Sequence, residues 1–201
     1  VVADFVIDNK GKKYVISSEL TKRFVTQKEA EAFLEKAKNA SFTVASCEKK
    51  PTTKHPAPPF TTSTLQQEAS RKFSFPVAKT MQIAQQLYEA GFITYMRTDS
   101  VNLSALAVGT TKKFITENFG AEYSKVRKYS TTSKGAQEAH EAIRPTYIEN
   151  EFVSSNADEQ RLYDLIRKRT IASQMVDAQI ESTTLNIVSD SLEKAVFTAK
   201  G

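Results

Sequence analysis

The amino-acid sequence predicts an α+β multidomain chain, a mainly helical domain inserted into a strand-rich one. Three observations lead there. Both ends alternate apolar and polar residues with the period of a strand, near 3–17 and again near 179–199. The middle repeats apolar residues at helical spacing instead. Between the first strand-rich part and the helices lies KKPTTKHPAPPF at 49–60, with four of the chain's six prolines. Proline neither donates to a ladder nor continues a helix, so this stretch reads as an extended linker. The expected borders are 1–54 with 179–201 for the strand-rich domain, and 55–178 for the helical domain.

Each element has its own signal. The runs ADFVI (3–7) and KYVIS (13–17) flank Asn9-Lys10-Gly11, the pattern of a hairpin turn. Thr26 suits a helix N-cap with Glu29 as its capping-box partner, and Ala30, Phe33, Leu34 and Ala37 recur at helical spacing, so a helix is expected over about 27–39. Phe42, Val44 and Ser46 alternate as a strand that runs to Cys47. Helices follow over 63–73 and 76–90, the second opened by Pro76 at its first position and stopped by Gly91. FITYMRTDS (92–100) is too short and mixed for a helix. Ser104 caps a helix over 105–118, residues 124–139 are polar and irregular with Lys125, Arg127, Lys128 and Lys134, and Asp158 opens a helix that reaches about Met175. Residues 179–189 and 194–199 alternate like a closing hairpin.

Bulk properties narrow the function classes. A net charge of +5 and a pI near 9.2 suit contact with a polyanion such as nucleic acid. The lone Cys47 allows no internal disulfide, which fits a reducing cytoplasm. With only His55 and His140 beside it, a structural zinc site is not expected. No stretch is long and apolar enough for a membrane span, and Val1 to Val6 lack the basic leader of a signal peptide. The absent initiator Met, and an end at Lys200-Gly201 straight after a strand-like run, suggest a piece of a longer polypeptide.

Two stretches concentrate chemistry. Thr94-Tyr95-Met96-Arg97-Thr98-Asp99-Ser100 puts a phenol, a guanidinium, a carboxylate and three hydroxyls directly after a helix stop. A phenol is a poor nucleophile at its ordinary pKa near 10 and needs a base or a nearby cation. Arg97 could favour the phenolate, or neutralise charge on a phosphorane-like transition state. In an extended segment Tyr95 and Arg97 point to the same side. Taken alone, the stretch also fits a buried structural tyrosine beside a surface Arg–Asp pair. The second stretch is Ala139 to Thr146, AHEAIRPT. There His140 can shuttle a proton or bind phosphate, Glu141 would favour its charged form, and Arg144 adds a fork for phosphate. A lone histidine equally suits a structural role, and the second His of a metalloprotease helix is missing.

TSTLQQEASRKF (62–73), QLYEAGFITYMRTDS (86–100) and AHEAIRPT (139–146) closely resemble, in order and spacing, the central region of the bacterial type IA DNA topoisomerases. LIRKRTIASQM (165–175) looks like the same family. The resemblance is close over about 60–190 and loose over the first 55 residues. Met96 stands where the topoisomerase III branch usually carries proline, which favours the topoisomerase I branch.

The resemblance implies that Tyr95 is the nucleophile, retaining the 5′ phosphate of a cut DNA strand as a phosphotyrosyl ester. It implies that Arg97 supports cleavage and that His140 contributes to DNA binding and to the active-site hydrogen-bond network. Thr98, Asp99, Glu141 and Arg144 fall in the same motifs and are expected on the DNA side of the site. The family binds Mg²⁺ through a D-x-D-x-E string of an N-terminal Toprim domain, and that string is absent from these 201 residues. The implied picture is a monomeric, ATP-independent enzyme of the cytoplasm and nucleoid. It would act on single-stranded or negatively supercoiled DNA, and its other domains lie elsewhere in the polypeptide. This piece alone would hold no metal and would neither cleave nor relax DNA. The chief rival is a non-catalytic module for single-stranded nucleic acid, using Lys49, Lys50, Lys54 and Arg127-Lys128 on phosphates and Tyr88, Tyr123 and Tyr129 for stacking. A purely structural hinge segment is the other.

Overall fold

The computed structural model describes residues 1–129, 140–192 and 195–201, and all their side chains except that of Asn9. Lys134, Ala139 and Lys194 lie outside the described residues. The elements in order are β1 (Val2–Asn9), β2 (Lys12–Leu20), α1 (Gln27–Ala37), β3 (Thr43–Lys54), α2 (Thr62–Phe73), α3 (Val77–Glu89), α4 (Ala105–Asn118), a 3₁₀ turn (Ala121–Tyr123), α5 (Ala157–Ser173), β4 (Ala178–Val188) and β5 (Val196–Lys200). They divide into two compact units, Val1–Lys54 with Gln179–Gly201, and His55–Ala178.

The first unit is a five-stranded sheet of order β1-β2-β5-β4-β3 with α1 packed on it. β1 and β2 form an antiparallel hairpin in which Val6 faces Val15. Its two-residue turn is Lys10-Gly11, at φ 54° and 83°. Positive φ at both positions matches the turn twist to the strands, and glycine takes it without strain. Leu20, Ile187 and Phe197 anchor the core, and the Phe197 ring meets Phe5 edge-on at 5.5 Å and Phe42 at 5.8 Å. Ala30, Phe33 and Ala37 are half-buried as their spacing requires, whereas Leu34 is exposed.

Two expectations change here. The stretch 49–54 belongs to β3 and not to a linker, since the strand runs through Pro51 to Lys54. β3 is the last strand of the sheet, and an edge strand needs no N–H on its outer side, so proline is tolerated. Lys49 to Glu181 at 2.7 Å and Asn186 to Ser46 at 3.0 Å tie it to β4. Helix starts also differ slightly: Pro76 is the N-cap of α3, and Asn156, not Asp158, caps α5 by accepting from the Asp158 N–H at 2.9 Å.

The second unit packs α2, α3 and α5 around Leu65, Leu87, Ile93, Ile143 and Ile166, with Tyr163 fully enclosed. Each such side chain contributes about 1.5–3 kcal/mol by leaving water. A smaller cluster of Ile115, Ile148 and Ile171 seats α4. Lys79 on α3 reaches Asp158 at the start of α5 at 2.6 Å. The buried Arg167 of α5 donates to the Ile148 carbonyl at 2.7 Å and lies 5.1 Å from the Phe114 ring of α4. No helix of the described residues is long and apolar enough to cross a membrane.

Candidate active site

α3 ends in a way that aims the chain at the site. The Phe92 N–H donates to the Leu87 carbonyl and the Gly91 N–H to that of Tyr88, both at 2.9 Å. This Schellman closure needs a left-handed residue at Gly91, where φ is 78°. Ile93 then turns into the core while Thr94 is half-buried and Tyr95 exposed.

The loop from Thr94 to Ser100 is held on two flanks. On one side the 142–146 stretch runs antiparallel to it, with Ile93 opposite Pro145. The Thr94 N–H donates to the Arg144 carbonyl and the Thr146 N–H to that of Phe92, both at 2.9 Å. The Thr94 hydroxyl donates to the Ala142 carbonyl at 2.7 Å and accepts from the Arg144 N–H at 3.0 Å. On the other side stands the first turn of α2. The Thr62 N–H donates to the Thr98 carbonyl at 2.9 Å. The Thr62 hydroxyl accepts from the Thr98 N–H at 2.9 Å and donates toward the Met96 carbonyl at 2.8 Å. Phe60, just before α2, pairs with Ile143, so three separated segments converge. The Arg169 guanidinium lies 4.1 Å from the Phe60 ring and backs this junction.

The sequence-predicted residues divide between the surface and this scaffold. Tyr95 is 45% exposed, and Tyr88 meets its ring edge-on at 5.2 Å. Arg97 and Asp99 are exposed, while Met96 is buried at 4%. Tyr95 and Arg97 thus both face solvent. His140 is exposed at the start of the antiparallel stretch. Thr98 is half-buried, and its hydroxyl accepts from the Ser100 N–H at 3.1 Å.

Glu141 and Arg144 bond to each other. Arg144 Nη2 to Glu141 Oε2 is 2.7 Å, and Arg144 Nη1 donates to the Pro145 carbonyl at 2.9 Å. The fork expected to await phosphate is therefore already engaged. Glu141 also accepts from the Ser104 N–H at 2.6 Å, at the N-cap of α4. It fills from a distant stretch the place that the third residue of a helix fills in a capping box, where negative charge complements the helix dipole. Burial pushes its carboxyl up, but the hydrogen bonds from Arg144 and Ser104 outweigh that and hold it below its ordinary value.

Several groups considered for phosphate contact or stacking are occupied as well. Lys49 pairs with Glu181 and Lys50 with Glu48. Arg127 pairs with Asp177, which also meets His55 at 2.9 Å. Tyr129 is half-buried with its hydroxyl donating to the Ser173 carbonyl at 3.0 Å, and burial pushes its phenol up. Tyr88 and Tyr123 remain exposed. Sequence reasoning missed Thr62 and Thr94 as loop anchors. Both lie inside the motif strings, Thr62 at the head of 62–73 and Thr94 within 86–100, but nothing in the strings marked them as anchors.

An exposed phenol and guanidinium on a braced loop, flanked by a His-bearing stretch, make up the candidate site. Comparison with known proteins places the chain in a family: it belongs to the DNA topoisomerase family, whose model matches residues 1–201. Its relatives include DNA topoisomerase 1 of Synechococcus elongatus, 48% identical over 180 residues and 87% of this chain, and that of Pseudomonas aeruginosa, 45% identical over 188 residues and 90%. The chain spans 20% and 22% of the length of these two relatives, and 13% of the Zymomonas mobilis DNA topoisomerase 1, which is 48% identical over 161 residues. Among solved structures, full-length topoisomerase I of Thermotoga maritima matches with a TM-score of 0.71 at 34% identity. That match covers 100% of this chain and 34% of the other.

Proposed function

We propose that this chain is the strand-cutting portion of a type IA DNA topoisomerase, with Tyr95 as its nucleophile. The observation that carries the reading is the exposed Tyr95, two residues from an exposed Arg97, on a loop braced from both sides. The Tyr95 oxygen attacks the phosphorus of a phosphodiester in single-stranded DNA. The bond from phosphorus to O3′ breaks, and the 5′ phosphate stays on Tyr95 as a phosphotyrosyl ester. The phenol gives up its proton, and the departing 3′ oxygen takes one to become a hydroxyl. One ester replaces another, so the reverse attack by the 3′ hydroxyl reseals the strand without ATP. Passage of the other strand through the gap relaxes negative supercoils.

Arg97 neutralises charge building on the phosphoryl oxygens. His140 binds DNA and joins the hydrogen-bond network. Thr98, Glu141 and Arg144 act mainly through the backbone they hold, and Asp99 lies on the exposed edge beside the DNA path. Among the described residues no three His, Cys, Asp or Glu side chains gather where they could hold a metal ion. Mg²⁺ would sit on acidic residues elsewhere in the polypeptide and would supply electrostatic stabilisation of the phosphate. The isolated chain would neither cleave nor relax DNA. The intact protein would act as a monomer on the nucleoid.

The test compares relaxation of negatively supercoiled plasmid by the intact polypeptide and its Tyr95→Phe form, with Mg²⁺ and at matched folding. Relaxation should vanish while DNA binding persists. Surviving relaxation would refute the assignment. The exposed Tyr88–Tyr95 edge-on pair favours one second reading, a module that stacks single-stranded bases without cutting them. In that case the Phe variant, which keeps the ring, would retain its affinity, and the parent would form no covalent adduct.

A further inference from the structure

We infer that Thr62 is the positioning residue that sets the backbone of the loop carrying Tyr95 and Arg97. This rests on the reading of Tyr95 as nucleophile. The Thr62 hydroxyl stands inside the loop's curve, accepting from the Thr98 N–H at 2.9 Å while its proton points to the Met96 carbonyl at 2.8 Å, with the Thr98 carbonyl 3.1 Å away as the alternative acceptor. It therefore bridges the peptide groups on both sides of Arg97, and the carbonyl it holds belongs to Met96, the residue directly after Tyr95. A hydroxyl can do this because it donates and accepts at once; a methyl in its place can do neither.

Thr62 is itself held fast. Its N–H donates to the Thr98 carbonyl at 2.9 Å, and it opens α2 directly after the N-cap Thr61, inside the capping box that Thr61 forms with Thr64. Phe60 is fully buried and paired to Ile143 of the His140 stretch. A rigid helix start thus reads out onto the two exposed side chains, and the same junction fixes the stretch that follows His140. Thr62 touches no DNA in this role. Its effect reaches the reaction through the placement of Tyr95 and Arg97, where a shift of about 1 Å costs on the order of a hundredfold in rate.

The experiment uses the intact polypeptide, with Thr62→Val to remove the hydroxyl at constant shape, Thr62→Ser to keep it, and Tyr95→Phe alongside. Single-turnover formation of the covalent adduct on a labelled single-stranded oligonucleotide is followed with Mg²⁺ at saturating DNA. Oligonucleotide affinity and thermal unfolding are measured in parallel. Thr62→Val should cleave about ten- to a hundredfold more slowly at saturation, with affinity nearly unchanged, and Thr62→Ser should cleave at close to the parent rate. The inference is overturned if Thr62→Val keeps the parent rate, if Thr62→Ser is as slow as Thr62→Val, or if the loss is matched by loss of affinity or of folded protein. An adduct still formed by Tyr95→Phe overturns the nucleophile reading itself, a result distinct from the other three.

Discussion

Replacing Glu141 by Gln should destabilise the fold at neutral pH and leave it unchanged in acid. The side chain joins two elements: it accepts from Arg144 at 2.7 Å on its own stretch and from the Ser104 N–H at 2.6 Å at the head of α4. Glutamine keeps the shape and one acceptor oxygen but loses the charge. A hydrogen bond to a charged group contributes about 1.5–3 kcal/mol, and a neutral one about 0.5–1.5 kcal/mol. Glu141 and Arg144 keep side-chain exposures of 27% and 15%, so some solvent screening remains. The net cost should be about 1–2 kcal/mol, a fall in Tm of roughly 2–8 °C for a chain of this size. Because the Glu141 carboxyl is held below its ordinary value, its contribution is complete above the ordinary carboxylate range. It is lost as pH falls through the lowered value in the folded protein. Thermal unfolding followed by circular dichroism at neutral pH, and again near the acid limit of folding, should show a gap that closes on acidification. A gap that persists when both side chains are uncharged, or no gap at neutral pH, would refute the electrostatic account.

Tyr163→Phe removes a hydroxyl that donates to the Asn150 carbonyl at 2.7 Å, and should cost about 1 kcal/mol in denaturant unfolding. Burial pushes the Tyr163 phenol up to about 12. The stability this group contributes is therefore present below the ordinary phenol value and is lost as pH rises through about 12. Ultraviolet titration of the folded chain should show a tyrosine that ionises near 12, absent from the variant. Arg167→Met strips the Ile148 carbonyl of its donor and the Phe114 ring of its cation. About 2 kcal/mol should be lost, nearly independent of salt, because the exposed partner Glu151 adds little.

Local signals in the sequence located most elements because the signal and the cause are the same physics. Ser104 caps α4, and Gly91 supplies the left-handed residue after α3. The proline-rich stretch misled because proline's meaning depends on whether a strand is central or at an edge, and edge position is a property of the whole sheet. Leu34 was expected to share the buried face of α1 and does not, since helical spacing leaves two neighbouring positions to choose between. At the site, the motif strings pointed to Tyr95, Arg97 and His140, but their wiring stayed hidden. Glu141 stands next to His140 in the chain yet bonds Arg144 and Ser104. Thr62 reaches a loop some thirty residues further on. Pairings of that range depend on how helices fold back, which no local pattern encodes.

The braced loop carries a consequence for the order of folding. Thr94 and Arg144 are separated by 50 positions, and Thr62 and Thr98 by 36. α3 can form from contacts within itself, and its Schellman stop with it. Tyr95 has no defined setting until two long loops have closed, and closure entropy has to be met before those bonds return anything. The stretch that bears Tyr95 therefore becomes ordered late. A nascent or partly unfolded chain does not hold Tyr95 and Arg97 in this arrangement, which arrives only with the finished fold.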